Sequence, residues 1–136
     1  MSDRVSATVR SKIMAAVKTK NTGPEVAVRS MLHRLGYRYR LHDKRLAGSP
    51  DLVFPGRRKV VFVHGCFWHG HTCRWGRLPK TRPEYWAPKI EGNRVRDRRN
   101  MKALREEGWR SLTVWQCELK RPEQLLKKMC VFLDRP

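Results

Sequence analysis

The 136-residue sequence has few acidic residues and no apolar run long enough to cross a membrane. Only 12 aspartates and glutamates stand against 31 lysines and arginines, so the formal net charge is +19. A membrane-spanning helix needs roughly 20 mostly apolar residues, and the N-terminal stretch MSDRVSATVR has no signal-peptide core. These absences argue against a membrane protein. They favour a cytoplasmic protein that binds a polyanion, with nucleic acid as the first choice.

The chain has no internal repeats and no low-complexity segments, and its four cysteines are Cys66, Cys73, Cys117 and Cys130. Thiols in a reducing compartment more often bind metal than form disulfides. A chain of this length can enclose one hydrophobic core. We therefore expect a basic N-terminal arm or helix over residues 1–20, a single domain over residues 21–136, and a monomer.

Strands and helices alternate along the predicted domain. The stretches YRYRL, DLVF, KVVFVH and RSLTVWQC are typical of strands, with KVVFVH central and DLVF beside it across the turn PGRR. Helices are predicted between Thr22 and Gly36, from about Arg82 to about Glu107 with interruptions near Pro88 and Gly92, and over about 122–133. This order predicts an α/β fold with a small central mixed β-sheet flanked by helices.

The first of these helices has a charge on its apolar side. Val28, Leu32 and Leu35 form one stripe, and Glu25 falls on the same stripe one turn before Val28. Its carboxylate is therefore expected to point into the protein. The alternative is that Glu25 only complements the helix N-terminus.

Asp51 and His64 are expected to meet at one edge of the sheet. Asp51 precedes one predicted strand, and the next strand ends at His64. Together with Glu25, Asp51 offers the hard oxygen ligands that a divalent metal needs for phosphodiester hydrolysis. The alternative is that Asp51, which follows a proline, is a turn residue. The Pro-Asp pattern is typical of restriction-endonuclease-like nucleases, although FVH replaces their Glu-x-Lys here.

The loop after KVVFVH is rich in metal-binding side chains. Cys66, His71 and Cys73 lie within eight residues, and Cys117 ends a predicted strand. Three cysteines and one histidine make a closed tetrahedral zinc site. From spacing alone, His69 remains an alternative ligand.

The same loop offers groups for proton transfer and for stacking. If the zinc is structural, His64 and His69 are free to accept a proton near pH 7, and the inward-facing Asp97 can orient one of them. The adjacent Phe67 and Trp68 cannot easily both be buried, and rings beside a basic surface can wedge between base pairs.

Motifs spread over nearly the whole chain resemble one family. They are RSKIMAAV, GPEVAVRSMLHRLGYRYRLH, SPDLVF, VVFVHGCFWHGHTC, KTRPEYW, KIEGNRVRDRR, EEGW and VWQCEL. With the highly specific HGCFWHGHTC, they resemble the very short patch repair (Vsr) DNA mismatch endonucleases. The resemblance implies a restriction-endonuclease-like core. It also implies magnesium-dependent nicking of duplex DNA 5′ of the thymine in T:G mismatches that arise from deamination of 5-methylcytosine.

The resemblance also implies roles for individual residues. Asp51 would bind Mg²⁺ with the backbone carbonyl of Val63. Glu25 and His64 would organise water and phosphate, and His69, paired with Asp97, would be the general base. The structural Zn²⁺ ligands would be Cys66, His71, Cys73 and Cys117. The residues inserted into DNA or placed near the mispaired bases would be Met14, Phe67, Trp68, Trp86, Lys89 and Asn93.

The expected partners follow from the same resemblance. They are double-stranded DNA with a T:G mismatch, a functionally linked DNA cytosine-5 methyltransferase and mismatch-repair factors, in a bacterial cytoplasm near the nucleoid. One alternative is a related endonuclease with broader mismatch or restriction-type specificity. Another is a zinc-stabilised nucleic-acid-binding module without catalysis, but binding alone gives no reason for Asp51, Glu25, His64, His69 and Asp97 to occur together.

Overall fold

The computed structural model describes residues 22–77 and 82–135. The predicted arm, with Met14, lies outside the described residues. The helices are α1 (Gly23–Arg34), α2 (Pro83–Glu106) and α3 (Pro122–Asp134). The strands are β1 (Arg40–Leu41), β2 (Leu52–Phe54), β3 (Lys59–His64) and β4 (Arg110–Trp115). No helix in the described ranges is long and apolar enough to span a membrane.

The four strands form one mixed sheet in the order β1-β2-β3-β4. Strands β1, β2 and β3 pair antiparallel, whereas β3 and β4 pair parallel because the long helix α2 connects them. As predicted, KVVFVH is an interior strand with DLVF beside it. The α/β class with a small mixed sheet is thus confirmed, and the restriction-endonuclease-like assignment stays a prediction.

Helices pack on both faces of this sheet because the strand side chains alternate between the faces. On one face, Leu52 and Val61 pack with apolar residues of α1 and α3. On the other face, Val60 and Phe62 pack with Leu104 of α2. Strand β3 therefore has buried side chains on both faces, which fits its nearly continuous apolar sequence.

Helix α1 begins and ends close to its predicted limits. Thr22 is the N-cap, and its hydroxyl accepts a hydrogen bond from the Glu25 backbone N–H at 3.4 Å. Gly36 follows the helix with a φ of 93°, a conformation that favours glycine. Leu35 was predicted on the apolar stripe, but it lies past the last helical residue and is 50% exposed.

The predicted interruption of α2 is wrong, because the helix is continuous from Pro83 to Glu106. Pro88 cannot donate to the carbonyl of Glu84. Both residues are exposed, so water can hydrate that carbonyl and the helix tolerates the proline. Gly92 lies inside the same helix without breaking it.

Candidate active site and metal centre

Four of the five predicted catalytic residues, all but Glu25, line one cavity of about 350 Å³ at the edge of the sheet. Strand β2 begins just after Asp51, and the neighbouring strand β3 ends at His64, so their antiparallel pairing brings the two residues to one edge. The loop after β3 adds His69, and α2 adds Asp97. The fold thus gathers in one cleft groups that lie far apart in the sequence.

Two carboxyl groups meet on the buried side of this cleft. Glu25 is 2% exposed, as its position on the apolar stripe of α1 predicted. The Val63 backbone N–H donates a hydrogen bond of 2.6 Å to Asp51 Oδ2. Burial raises the pKa of Asp51 to about 7, the Val63 hydrogen bond lowers that pKa, and the neighbouring Glu25 raises it further. A divalent cation would relieve the repulsion between two ionised carboxylates, so this pair fits a hard metal ion.

His42 belongs to the same group, although sequence reasoning missed it. Its Nε2 lies 2.5 Å from Glu25 Oε2, and Arg29 Nη1 lies 3.4 Å from the same oxygen. One ligand atom from each of Glu25, His42 and Asp51 can be chosen so that all three lie within 4.8 Å of one another. The one available sequence signal was that His42 directly follows the predicted strand YRYRL.

A second group in the cleft pairs two histidines with one aspartate. His69 Nδ1 lies 2.7 Å from Asp97 Oδ2, and His64 Nδ1 lies 3.9 Å from the same oxygen. The two imidazole rings stack with centroids 3.8 Å apart and planes 5° from parallel. If Asp97 accepts the Nδ1 proton of His69, Nε2 of His69 is left as a proton acceptor.

His64 is the more buried of the two histidines. Burial lowers its pKa to about 4, and the adjacent His69 lowers it further, while Asp97 opposes both effects. Within the described residues, the Nδ1 atom of His64 is buried without a hydrogen-bond partner. His64 is therefore neutral near pH 7 and suited to organise a polar ligand rather than to provide a positive charge.

Beside the cleft, Cys66, His71, Cys73 and Cys117 bring ligand atoms within 4.8 Å of one another. Cys117 Sγ lies 3.6 Å from His71 Nδ1, and the Cys117 N–H donates to Cys66 Sγ at 3.4 Å. Burial and the two neighbouring thiols raise the pKa of Cys117 to about 12, so a metal ion would be needed to hold this thiol as a thiolate. The donor set suits zinc. His69 instead groups with His64 and Asp97.

Trp115 at the end of β4 contacts both groups. Its ring stacks on His71 with centroids 4.1 Å apart, and it meets the His64 ring edge-on at 5.4 Å. The Trp115 ring therefore packs against both the candidate metal centre and the histidine pair.

Phe67 and Trp68, which directly precede His69 in the loop, form an aromatic cluster with Trp86 of α2. The three ring centroids are 5.2 to 5.9 Å apart, and Trp68 is 41% exposed. Lys89 Nζ lies 5.6 Å from the Trp68 ring centroid. Asn93 Nδ2 donates a hydrogen bond of 2.7 Å to the Trp68 carbonyl oxygen. The predicted DNA-contacting residues, apart from Met14, are thus brought together.

Comparison with known proteins matches this chain to one family. The family model described as DNA mismatch endonuclease Vsr matches residues 2–75. The type II nicking enzyme V.XorIIP of Xanthomonas oryzae pv. oryzae is 63% identical over 134 residues, which cover 98% of each chain. The type II nicking enzyme V.NmeAIP of Neisseria meningitidis is 44% identical over 120 residues, 88% of this chain and 86% of the relative. The DNA mismatch endonuclease Vsr of Escherichia coli is 44% identical over 125 residues, 92% of this chain and 80% of the relative.

Proposed function

The chain belongs to the Vsr family of DNA mismatch endonucleases and is a DNA endonuclease, and from this premise we propose that it nicks duplex DNA 5′ of the thymine in a T:G mismatch. The observation that carries the proposal is the direct succession of stacking and catalytic groups on one loop. Exposed Trp68 is followed immediately by His69, which pairs with Asp97. A loop built in this way can open a base step and present a proton acceptor to the adjacent phosphate.

The aromatic cluster would supply the mismatch specificity. A mismatched step costs less to unstack than a matched one, so a wedge of rings selects for it through deformability. Lys89 lies over the face of Trp68 and would bring positive charge to the wedge. Asn93 holds the Trp68 backbone in place through its hydrogen bond and also offers polar atoms near the opened bases.

The chemical step would be shared among the groups in the cleft. Asp51, with the Val63 carbonyl, would hold magnesium, which when bound supplies Lewis-acid stabilisation of charge on the phosphate. His69 Nε2 would accept the proton of the attacking water while Asp97 orients its ring. Glu25 and His64 would position the water and the phosphate oxygens.

The cysteine-rich cluster would hold zinc in a structural role. Cys66 precedes Phe67, Trp68 and His69 in the sequence, and His71 and Cys73 follow them. A bound ion would therefore restrain the loop segment that carries the aromatic residues and the general base. The substrate would arise by deamination of 5-methylcytosine. That origin would link the enzyme functionally to a DNA cytosine-5 methyltransferase, and mismatch-repair factors would be further partners.

Strand-specific nicking by wild-type and Asp51→Ala protein tests this proposal. We expect magnesium-dependent cutting 5′ of the mispaired thymine, none in EDTA, and a loss of at least about a hundredfold in rate for Asp51→Ala. Mismatch binding should remain, because Asp51 holds the metal rather than the bases. Asp134→Ala removes a 59% exposed aspartate at the end of α3 that does not line the cavity, and it is the matched control.

Two results would contradict the proposal. Nicking by Asp51→Ala would show that the metal assignment is wrong. Equal cutting of matched and T:G duplexes would show a restriction-type specificity instead.

A further inference from the structure

His42 lies against the carboxyl pair of the active site through an unusual backbone conformation. Its φ is 51°, in the left-handed region that few residues other than glycine adopt, although histidine does so more often than most. Its backbone N–H donates to the Asp51 carbonyl oxygen at 3.2 Å. The chain thus accepts a strained conformation at this point, and strain of this kind is concentrated at functional sites.

This conformation directs the imidazole towards the carboxylates rather than into solvent. The His42 side chain is 16% exposed, and its Nε2 lies 2.5 Å from Glu25 Oε2. Because Glu25, His42 and Asp51 bring three ligand atoms within 4.8 Å of one another, one cation can contact all three. Arg29 also approaches Glu25 Oε2, at 3.4 Å, so Glu25 keeps a partner when His42 turns its nitrogen to a metal.

We propose that His42 supplies a nitrogen ligand to the cation held by Asp51 and Glu25, so that the site favours a first-row transition-metal ion such as Mn²⁺. The proposal rests on the proposed function in taking Asp51 as a metal ligand, and it adds Glu25, to which that function gives the positioning of water, as a second carboxylate ligand. Imidazole adds little for Mg²⁺, which prefers oxygen ligands, but it strengthens binding of divalent transition metals. A site with two carboxylates and one imidazole therefore shifts the balance of cation affinities towards them.

Electron paramagnetic resonance with Mn²⁺ tests this ligand directly on the full-length protein with zinc supplied. Spin-echo modulation detects a nitrogen-14 nucleus bound to the ion, so it separates a ligand from a hydrogen-bonding neighbour. We expect this signal in the wild-type protein. His42→Asn should abolish it and weaken Mn²⁺ binding by at least about tenfold. Asparagine tolerates the left-handed conformation, so the backbone is preserved.

His33→Asn is the matched control, because it makes the same substitution at an exposed histidine of α1 that does not line the cavity. It should retain both the nitrogen signal and the affinity. The inference is overturned if wild-type protein binds no Mn²⁺, binds it without nitrogen coupling, or keeps the coupling in His42→Asn.

The nicking assay separates failure of this inference from failure of the proposed function. A His42-dependent nitrogen signal without cutting at T:G duplexes would refute the function and leave the ligand assignment standing. Magnesium-dependent cutting at T:G duplexes without that signal would refute the ligand assignment and leave the proposed function standing.

Discussion

Gly70 stands between His69 and His71, and so between the candidate general base and a candidate zinc ligand. Its φ is 61°. A Cβ atom at this position would lie 2.7 Å from Arg94 Cδ and 2.8 Å from Ile90 Cγ2 on α2. Both distances are shorter than ordinary packing allows, so only glycine lets the loop approach the helix this closely. The same approach brings His69 to Asp97, because Asp97 also lies on α2.

Gly70→Ala should therefore damage both stability and activity. We expect the free energy of unfolding to fall by about 1–3 kcal/mol, from overpacking and from a side chain in the left-handed region. The nicking rate should fall further than the loss of folded protein explains, since His69 moves away from Asp97. Urea unfolding and nicking under folded conditions measure the two effects.

Gly56→Ala is the control for this substitution. Gly56 lies in the turn between β2 and β3, and a Cβ there meets nothing within 4 Å. If Gly70→Ala behaves like Gly56→Ala in both measurements, the close contact between loop and helix does not position His69.

Glu25 and His42 show which residues of the site could be predicted from the sequence and which could not. Glu25 could be placed inside because helical periodicity fixes the direction of a side chain on a regular element. His42 could not, because it follows a strand of only two residues in a left-handed conformation that no periodicity signals. Residues on regular elements were thus predictable in direction, whereas a residue placed by an irregular backbone was not.

At the scale of elements, the predicted strands and helices were recovered because each has a clear apolar pattern. The prediction errors lie where the surrounding structure overrides a local sequence preference. The continuous α2 passes through Pro88 because the proline lies on an exposed face near the helix N-terminus. Strand YRYRL shrinks to Arg40–Leu41 because it pairs only with the short strand β2 at one edge of the sheet.

The loop over residues 65–73, which follows β3, depends for its stability on metal ligands rather than on an apolar core. Within residues 65–73, Cys66 is the one fully buried side chain. The loop contains neither helix nor strand. Segments with few buried apolar contacts open easily unless something else restrains them. A metal ion bound to Cys66, His71, Cys73 and Cys117 would provide that restraint.

Removal of zinc should therefore expose three thiols selectively. After chelation we expect Cys66, Cys73 and Cys117 to react faster with a thiol reagent, because thiols released from a metal become accessible, and the melting temperature to fall. Cys130 lies on α3, outside this cluster, and its reactivity should change little. Labelling followed by mass spectrometry assigns each thiol, and native mass spectrometry gives the metal content. Equal labelling of the three cysteines before and after chelation would contradict a structural metal.

At the scale of the whole molecule, charge and stacking make separable contributions to DNA binding. The net charge of +19 attracts any duplex through phosphate contacts. The logarithm of the resulting binding constant falls linearly with the logarithm of the salt concentration. Ring stacking releases no counterions. The preference for a mismatched duplex should therefore depend on salt much less than the affinity itself does.

This separation predicts how a change in the aromatic cluster alters binding. Across a salt titration, affinities for matched and T:G duplexes should fall with nearly the same slope, so their ratio stays nearly constant. Replacing both Phe67 and Trp68 by alanine should lower that ratio by about tenfold or more, since each stacked base contributes about 1–3 kcal/mol. The slope should not change, because no lysine or arginine is removed.

Val131→Ala provides the matched surface control, since Val131 is 41% exposed, like Trp68, but lies on α3. It should leave both the ratio and the slope unchanged. Fluorescence anisotropy of labelled duplexes at several salt concentrations measures both quantities. A mismatch preference that survives the double substitution would mean that the rings do not carry specificity. A preference that declines with salt as steeply as the affinity would assign specificity to the charged residues instead.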